Sequence, residues 1–142
     1  MPQKKRVLIL CTGNSARSQM AEGLLREFGG DEFTVESSGV APSKVRREAV
    51  EAMREIGIDI SRQRSKSIEE FAGQNFDFVI TVCDNAKETC PVFPGSATRI
   101  HRSFTDPPPE TVGDDGARLK IFREVRDKLR EWLNDFVRSG KN

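Results

Sequence analysis

Apolar residues recur along the chain in two kinds of block, and the two kinds alternate. Val7-Leu8-Ile9-Leu10 is an unbroken apolar run within residues 6–10, the pattern of a strand buried on both faces. Over residues 18–28, Met20, Ala21, Leu24, Leu25 and Phe28 fall at helical spacing, and Gly29 and Gly30 follow as a stop. Residues 33–37 read as a second strand. Residues 45–56 read as a helix with Val45, Ala49, Ala52, Met53 and Ile56 on one face, closed by Gly57. Ser67 with Glu70 three residues on fits a capping box for a shorter helix. A third buried strand follows over residues 77–82, with Cys83 at its exit. The polar residues 84–89 suit a turn of helix, residues 98–104 a fourth strand, and 105–116 a loop rich in Pro, Gly and Asp. The last block is the longest. Over residues 118–137, Leu119, Phe122, Val125, Leu129, Trp132, Leu133 and Phe136 trace one stripe against a charged opposite face.

Strands that alternate with helices predict an α/β fold with an open, mostly parallel sheet covered by helices on both faces. Such sheets bind ligands beyond the carboxyl ends of their strands. Cys11, Cys83 and the loop carrying Asp106 each follow a strand and would meet on that edge. A chain of 142 residues without repeat, low-complexity tract or linker reads as one domain, residues 1–142. Its formal net charge of +1 gives no case for nucleic acid or an anionic membrane as a partner. The charged N-terminus leads into an apolar run too short for a signal peptide or a membrane span, so a cytoplasmic location is expected. Three cysteines make no disulfide framework in a chain of this length; they read as reactive, metal-binding or buried.

The segment Cys11-Thr12-Gly13-Asn14-Ser15-Ala16-Arg17-Ser18 joins the first strand to the first helix, and its residue types suit a tetrahedral oxyanion. Gly13 is expected to let the backbone turn its amides inward, and the following helix aims free N–H groups and its positive dipole end at the same spot. Arg17 could close over the anion with a bidentate fork. The same positive surroundings would lower the Cys11 pKa, with the Ser18 hydroxyl donating to the sulfur, and would make Cys11 a nucleophile. With 15 arginines in the chain, an arginine six residues after a cysteine carries little information. The strand end before it, the small polar residues within it and the amphipathic helix after it carry more. Zinc is a poor fit: the gap between Cys83 and Cys90 is wide for a metal knuckle, and His101 is the only histidine, read as a strand or loop side chain.

That loop, followed by Gln19-Met20-Ala21-Glu22-Gly23, resembles the low-molecular-weight tyrosine phosphatase superfamily, specifically its thioredoxin-coupled arsenate reductases. The likeness extends to Ser37-Ser38-Gly39, Ala49-Val50-Glu51-Ala52-Met53, Ile58-Asp59-Ile60-Ser61, the segment from Cys83 to Cys90-Pro91, and Asp106-Pro107. The resemblance implies a three-layer sandwich with a four-stranded parallel sheet, an oxyanion held by Thr12, Gly13, Asn14, Ser15, Ala16 and Arg17, attack by Cys11, and Asp106 as proton donor. By composition alone Asp106, like Glu110, Asp114 and Asp115, would be a solvated turn residue. Some related reductases bind potassium at positions that map to Asn14, Glu22, Ser37 and Lys66. The lysine replaces an expected acidic residue and could supply its own ammonium, and no cofactor is required for the chemistry. The chain has Ala16 where the phosphatases often have a second cysteine. It has Pro108 after the Asp-Pro pair and no tyrosine, so a stacking wall for a phosphotyrosine ring is missing.

Two further cysteines separate the enzyme readings. Ester hydrolysis needs one thiolate and an acid, whereas reduction of arsenate to arsenite needs two electrons. A second thiol supplies them by attacking the Cys11 sulfur as arsenite leaves. Cys83 suits that role, Cys90 would then attack the Cys11–Cys83 disulfide, and in the resembled family thioredoxin reduces the final Cys83–Cys90 bond. A continuous helix would hold Cys83 and Cys90 about 10 Å apart, beyond the roughly 7 Å disulfide limit. Oxidation is therefore expected to melt or loop out residues 84–89. The alternatives are a low-molecular-weight phosphatase and a non-catalytic redox sensor or anion-binding module.

Overall fold

A computed structural model describes residues 4–83 and 97–139. The sheet is built outward from its most apolar segment. In β1 (Lys5–Cys11), Val7, Leu8, Ile9 and Leu10 are fully buried, so this strand needs neighbours on both edges and covers on both faces. It pairs in parallel with β2 (Phe33–Gly39), Cys11 opposite Gly39, and with β3 (Phe78–Thr81), Leu10 opposite Thr81. β4 (Thr98–His101) pairs in parallel with β3 and leaves its outer edge more exposed. The order β2-β1-β3-β4 sets Cys11 and Cys83 at the carboxyl ends of adjacent strands.

Around the sheet the expected three-layer sandwich forms, with α1 (Arg17–Gly29), α2 (Arg47–Arg54) and α3 (Asp115–Ser139) as its described helices. The apolar stripe of α3 buries Phe122, Val125, Leu129, Leu133 and Phe136, while Leu119 and Trp132 are half-buried at its margins. Phe136 lies 5.4 Å from the Phe33 ring and 5.3 Å from the Phe78 ring, which ties α3 to the sheet. Charge then joins α3 to α2: Arg126 donates to Ala52 O at 2.8 Å, and both Arg123 and Arg126 pair with Glu55.

The periodic elements begin and end within a few residues of their expected bounds. α2 is shorter than its apolar pattern, because Val45 and Ile56 pack on the core from the turns at either end. The left-handed turn after it is made by Gly57, at φ +81°. Ser67 caps a single 3-10 turn, Ile68–Phe71, with its Oγ accepting from Glu69 N at 3.1 Å, at the place of the expected short helix. Asp114 caps α3, its Oδ1 accepting from Ala117 N at 2.7 Å. The expected helical turn over residues 84–89 and Cys90 lie outside the described residues.

Candidate active site

Between β1 and α1 the chain turns all of its carbonyls away from Cys11. Cys11 O accepts from Val40 N, Thr12 O from Ala41 N, Gly13 O from Ser43 N and Ser65 Oγ, Ser15 O from Arg46 N, and Ala16 O from Met20 N. Asn14 O accepts from Gln19 Nε2 at 3.0 Å. In a trans peptide the N–H points opposite to the C=O. The amides of residues 12–17 therefore face the concave side, at the amino end of α1, where an anion is favoured by both the N–H groups and the helix dipole.

Asn14 rather than Gly13 makes this curvature. Asn14 has φ +47°, a left-handed conformation that Gly13 does not share. Its side chain is fully buried and uses both ends: Nδ2 donates to Ser18 Oγ at 2.8 Å and Ser37 Oγ at 2.9 Å, while Oδ1 accepts from Gln19 Nε2 at 2.9 Å and Lys66 N at 2.8 Å. The glycine this loop requires is Gly39, at the end of β2. A Cβ there would stand 2.6 Å from Thr12 O and 2.8 Å from Asn14 N, whereas one on Gly13 would meet only ordinary contacts. Gly39, Gln19, Ser65 and Arg46 shape the loop from a distance, and no local spacing marks them for that task. The available signal was the family resemblance, which includes Gln19 and Ser37-Ser38-Gly39.

Behind Asn14 the four positions considered for a cation come together. Ser37 Oγ donates to Glu22 Oε1 at 2.5 Å, and Glu22 pairs with Arg26 at 2.7 Å and with Lys66 Nζ at 3.6 Å. Lys66 is buried and also lies 3.8 Å from Glu36. Among the described residues no group of three or more His, Cys, Asp or Glu side chains could hold a metal ion. His101 Nδ1 is hydrogen-bonded to Thr81 Oγ1 at 2.7 Å across β3 and β4, a strand-to-strand contact.

At the open side of the loop, Cys11, Cys83, Arg17 and Asp106 converge. Both sulfurs are buried and no disulfide joins them. Cys83 Sγ is hydrogen-bonded to Thr12 Oγ1 at 3.2 Å. Arg17 Nη1 donates to Phe104 O at 3.2 Å and Nη2 pairs with Asp106 at 3.2 Å, so the guanidinium reaches from the oxyanion loop to the segment after β4. The Asp106 side chain is 78% exposed on the solvent side of that pair.

The expected lowering of the Cys11 pKa is corrected by this arrangement. The hydrogen bond with Cys83 and then burial push the Cys11 thiol up; the Arg17 charge and the Thr12 amide pull it down, as anticipated, but are outweighed. Ser18 Oγ accepts from Asn14, which leaves its own hydrogen available for a second bond.

Residues 6–141 match the family model described as low molecular weight phosphotyrosine protein phosphatase. The chain is 44% identical to an arsenate reductase of Halalkalibacterium halodurans over 97% of this chain and 99% of that one. It is 40% identical to an arsenate reductase of Bacillus subtilis over 98% and 99%. Among solved structures it resembles an arsenate reductase in an oxidized state, with TM-score 0.75 and 36% identity over 95% of this chain and 98% of that one. It also resembles an arsenate reductase in a phosphate-binding state, with TM-score 0.71 and 33% identity over the same shares. Among the described residues no helix is long and apolar enough to cross a membrane.

Proposed function

The chain belongs to the low molecular weight phosphotyrosine protein phosphatase family, and we propose that within it the protein is an arsenate reductase, a cytoplasmic one that draws its electrons from a thioredoxin-type dithiol. The observation that carries this reading is the second sulfur: Cys83, at the end of the strand beside that of Cys11, bonds the Thr12 hydroxyl at the mouth of an oxyanion loop. A phosphatase has no use for it. The full-length relatives named arsenate reductase support the same choice.

Arsenate, tetrahedral like phosphate, enters against the amides of Thr12, Gly13, Asn14, Ser15, Ala16 and Arg17 and takes over the Arg17 fork. Cys11 gives its proton to an oxygen of the bound arsenate and becomes the thiolate between Arg17 and the Thr12 amide. Ser18 adds its hydroxyl hydrogen to that sulfur. Cys11 attacks arsenic, an arsenic–oxygen bond breaks, and Asp106 gives the departing oxygen a proton so that it leaves as water. Cys83, held by Thr12, passes its proton to an oxygen of the arsenic adduct and attacks the Cys11 sulfur. A sulfur–sulfur bond forms, the sulfur–arsenic bond breaks, and its electron pair stays on arsenic, which leaves as arsenite. Cys90 then attacks Cys83, freeing Cys11, and the external dithiol reduces the Cys83–Cys90 bond.

No metal takes part in this scheme. Lys66 stands in for the cation that some relatives hold: its ammonium faces Glu22, and the Asn14 side chain already has both ends engaged. Potassium would meet a positive charge there, so the residues do not fit it.

Arsenite production with a complete thioredoxin system tests the reading. Wild type should turn over, and Cys83→Ser should stop after a single adduct yet still hydrolyse a small aryl phosphate. Brisk aryl phosphate hydrolysis by a wild type that makes no arsenite would establish the phosphatase instead.

A further inference from the structure

Asp106 sits on a segment with few donors of its own. Pro107, Pro108 and Pro109 follow it in a row, and proline has no amide hydrogen. Such a stretch offers carbonyls but no amide hydrogens; Val112 N closes a turn on Pro109 O at 3.0 Å, and two arginines from elsewhere in the chain supply further donors. Arg46 Nη2 donates to Pro108 O at 3.1 Å, and Arg118 Nη1 donates to Val112 O at 3.1 Å and Gly113 O at 2.6 Å. Both guanidiniums converge on the Glu48 carboxylate, each at 3.0 Å. Glu48 is 4% exposed and Arg118 6%, so this junction is built inside the protein. Arg46 is further fixed by its guanidinium stacking over the Phe122 ring at 5.0 Å, and by Glu110 at 3.6 Å.

Arg46 also holds the other half of the site. Its backbone amide donates to Ser15 O at 2.9 Å, inside the oxyanion loop. One residue thus hydrogen-bonds both the loop that carries Cys11 and the segment that carries Asp106. We propose that Arg46 is a positioning residue that sets Asp106 in register with the oxyanion loop, with Glu48 and Arg118 as its buried anchor. The planar fork explains the choice of arginine: it reaches a carboxylate and a carbonyl together, which a lysine ammonium does not match. The proposal rests on Asp106 acting as the proton donor.

The test measures single-turnover arsenite formation by the reduced protein, which removes the dithiol relay from the rate, for Arg46→Met and Arg46→Lys in wild-type and Asp106→Asn backgrounds. Methionine keeps apolar packing against Phe122 and removes the fork. The saturating rate should fall roughly 10- to 100-fold in Arg46→Met, the scale of a misplaced catalytic group. Half-saturating arsenate should stay within about twofold, because the oxyanion loop keeps its amides. Arg46→Lys, which retains the charge should methionine unfold the protein, should fall in between. In the Asp106→Asn background, Arg46→Met should cost nothing more. An equal fold-loss in both backgrounds, or a weakened arsenate dependence with an unchanged saturating rate, would overturn the positioning role while leaving Asp106 in place. If Asp106→Asn alone keeps the wild-type rate, Asp106 is not the proton donor and the proposal falls with it.

Discussion

Replacing Asn14 tests whether the oxyanion loop is held open by one buried amide. Asn14→Gly removes four side-chain hydrogen bonds, to Ser18, Ser37, Gln19 and the Lys66 amide, but leaves the φ of +47° easy to adopt. At about 0.5–1.5 kcal/mol for each bond, the loss should be roughly 2–6 kcal/mol, a large part of the 5–15 kcal/mol typical of a domain. Asn14→Ala loses the same bonds and adds a left-handed strain of about 1–2 kcal/mol. The extra unfolded-state freedom of glycine returns about 0.5–1 kcal/mol of that difference, so alanine should be the less stable of the two by about 1 kcal/mol. Urea denaturation of the reduced proteins gives the stabilities, and phosphate titration calorimetry shows whether the loop still presents its amides. Both variants should bind phosphate at least tenfold more weakly than wild type, about 1.4 kcal/mol. An Asn14→Gly protein within about 1 kcal/mol of wild type that also binds phosphate normally would refute the reasoning. So would an alanine variant more stable than the glycine one.

Two further outcomes follow from the charges around the site. Burial would raise the pKa of Glu48, but hydrogen bonds from Arg46, its own backbone amide and Arg118 outweigh it and hold it at about 2 against an ordinary 4.5. A carboxyl with a lowered folded-state pKa contributes stability above its unfolded value that is lost as pH falls through the folded one. The contribution, on the order of 3 kcal/mol near neutrality, should therefore disappear between about pH 4.5 and pH 2. Urea midpoints should show Glu48→Gln well below wild type at neutral pH and converging on it in acid; a gap that stays constant with pH would contradict this. For Lys66, arsenite production should be equal in potassium and sodium chloride at matched ionic strength, and Lys66→Asp should become stimulated by potassium; a wild type that potassium stimulates would remove the lysine's role as internal cation.

Much of this architecture is written locally. The run Val7–Leu10 has one stable use, a central strand, and the stripe from Leu119 to Phe136 has one, a helix laid on the sheet, because period and burial are properties of neighbouring residues. The cysteine loop is legible for the same reason: Cys11 through Ser18 are contiguous, and their position between strand and helix follows from the pattern around them. The alternation of strands and helices also sufficed to place Cys83 and Asp106 at the same edge as Cys11.

Tertiary structure decided how those groups act on one another. Gly13 was expected to let the backbone turn its amides inward, and the left-handed residue of the loop is Asn14, because Ser37 and Lys66, remote in sequence, satisfy the asparagine's amide and compensate its strain. Gly39 is indispensable only once β2 lies against the loop. The direction of the Cys11 shift reversed, because Arg17 and the loop amides are neighbours in sequence whereas Cys83 becomes a neighbour only when β3 pairs with β1. The fastening of the Asp106 segment by Arg46, Glu48 and Arg118 had no sequence signature either, since proline carbonyls accept whichever donor the packed helices bring to them. Composition and period thus determined the elements of this protein and the position of Cys11 between strand and helix. Long-range contacts determined the loop's shape, the upward shift of the Cys11 thiol and the placement of Asp106 against Arg17.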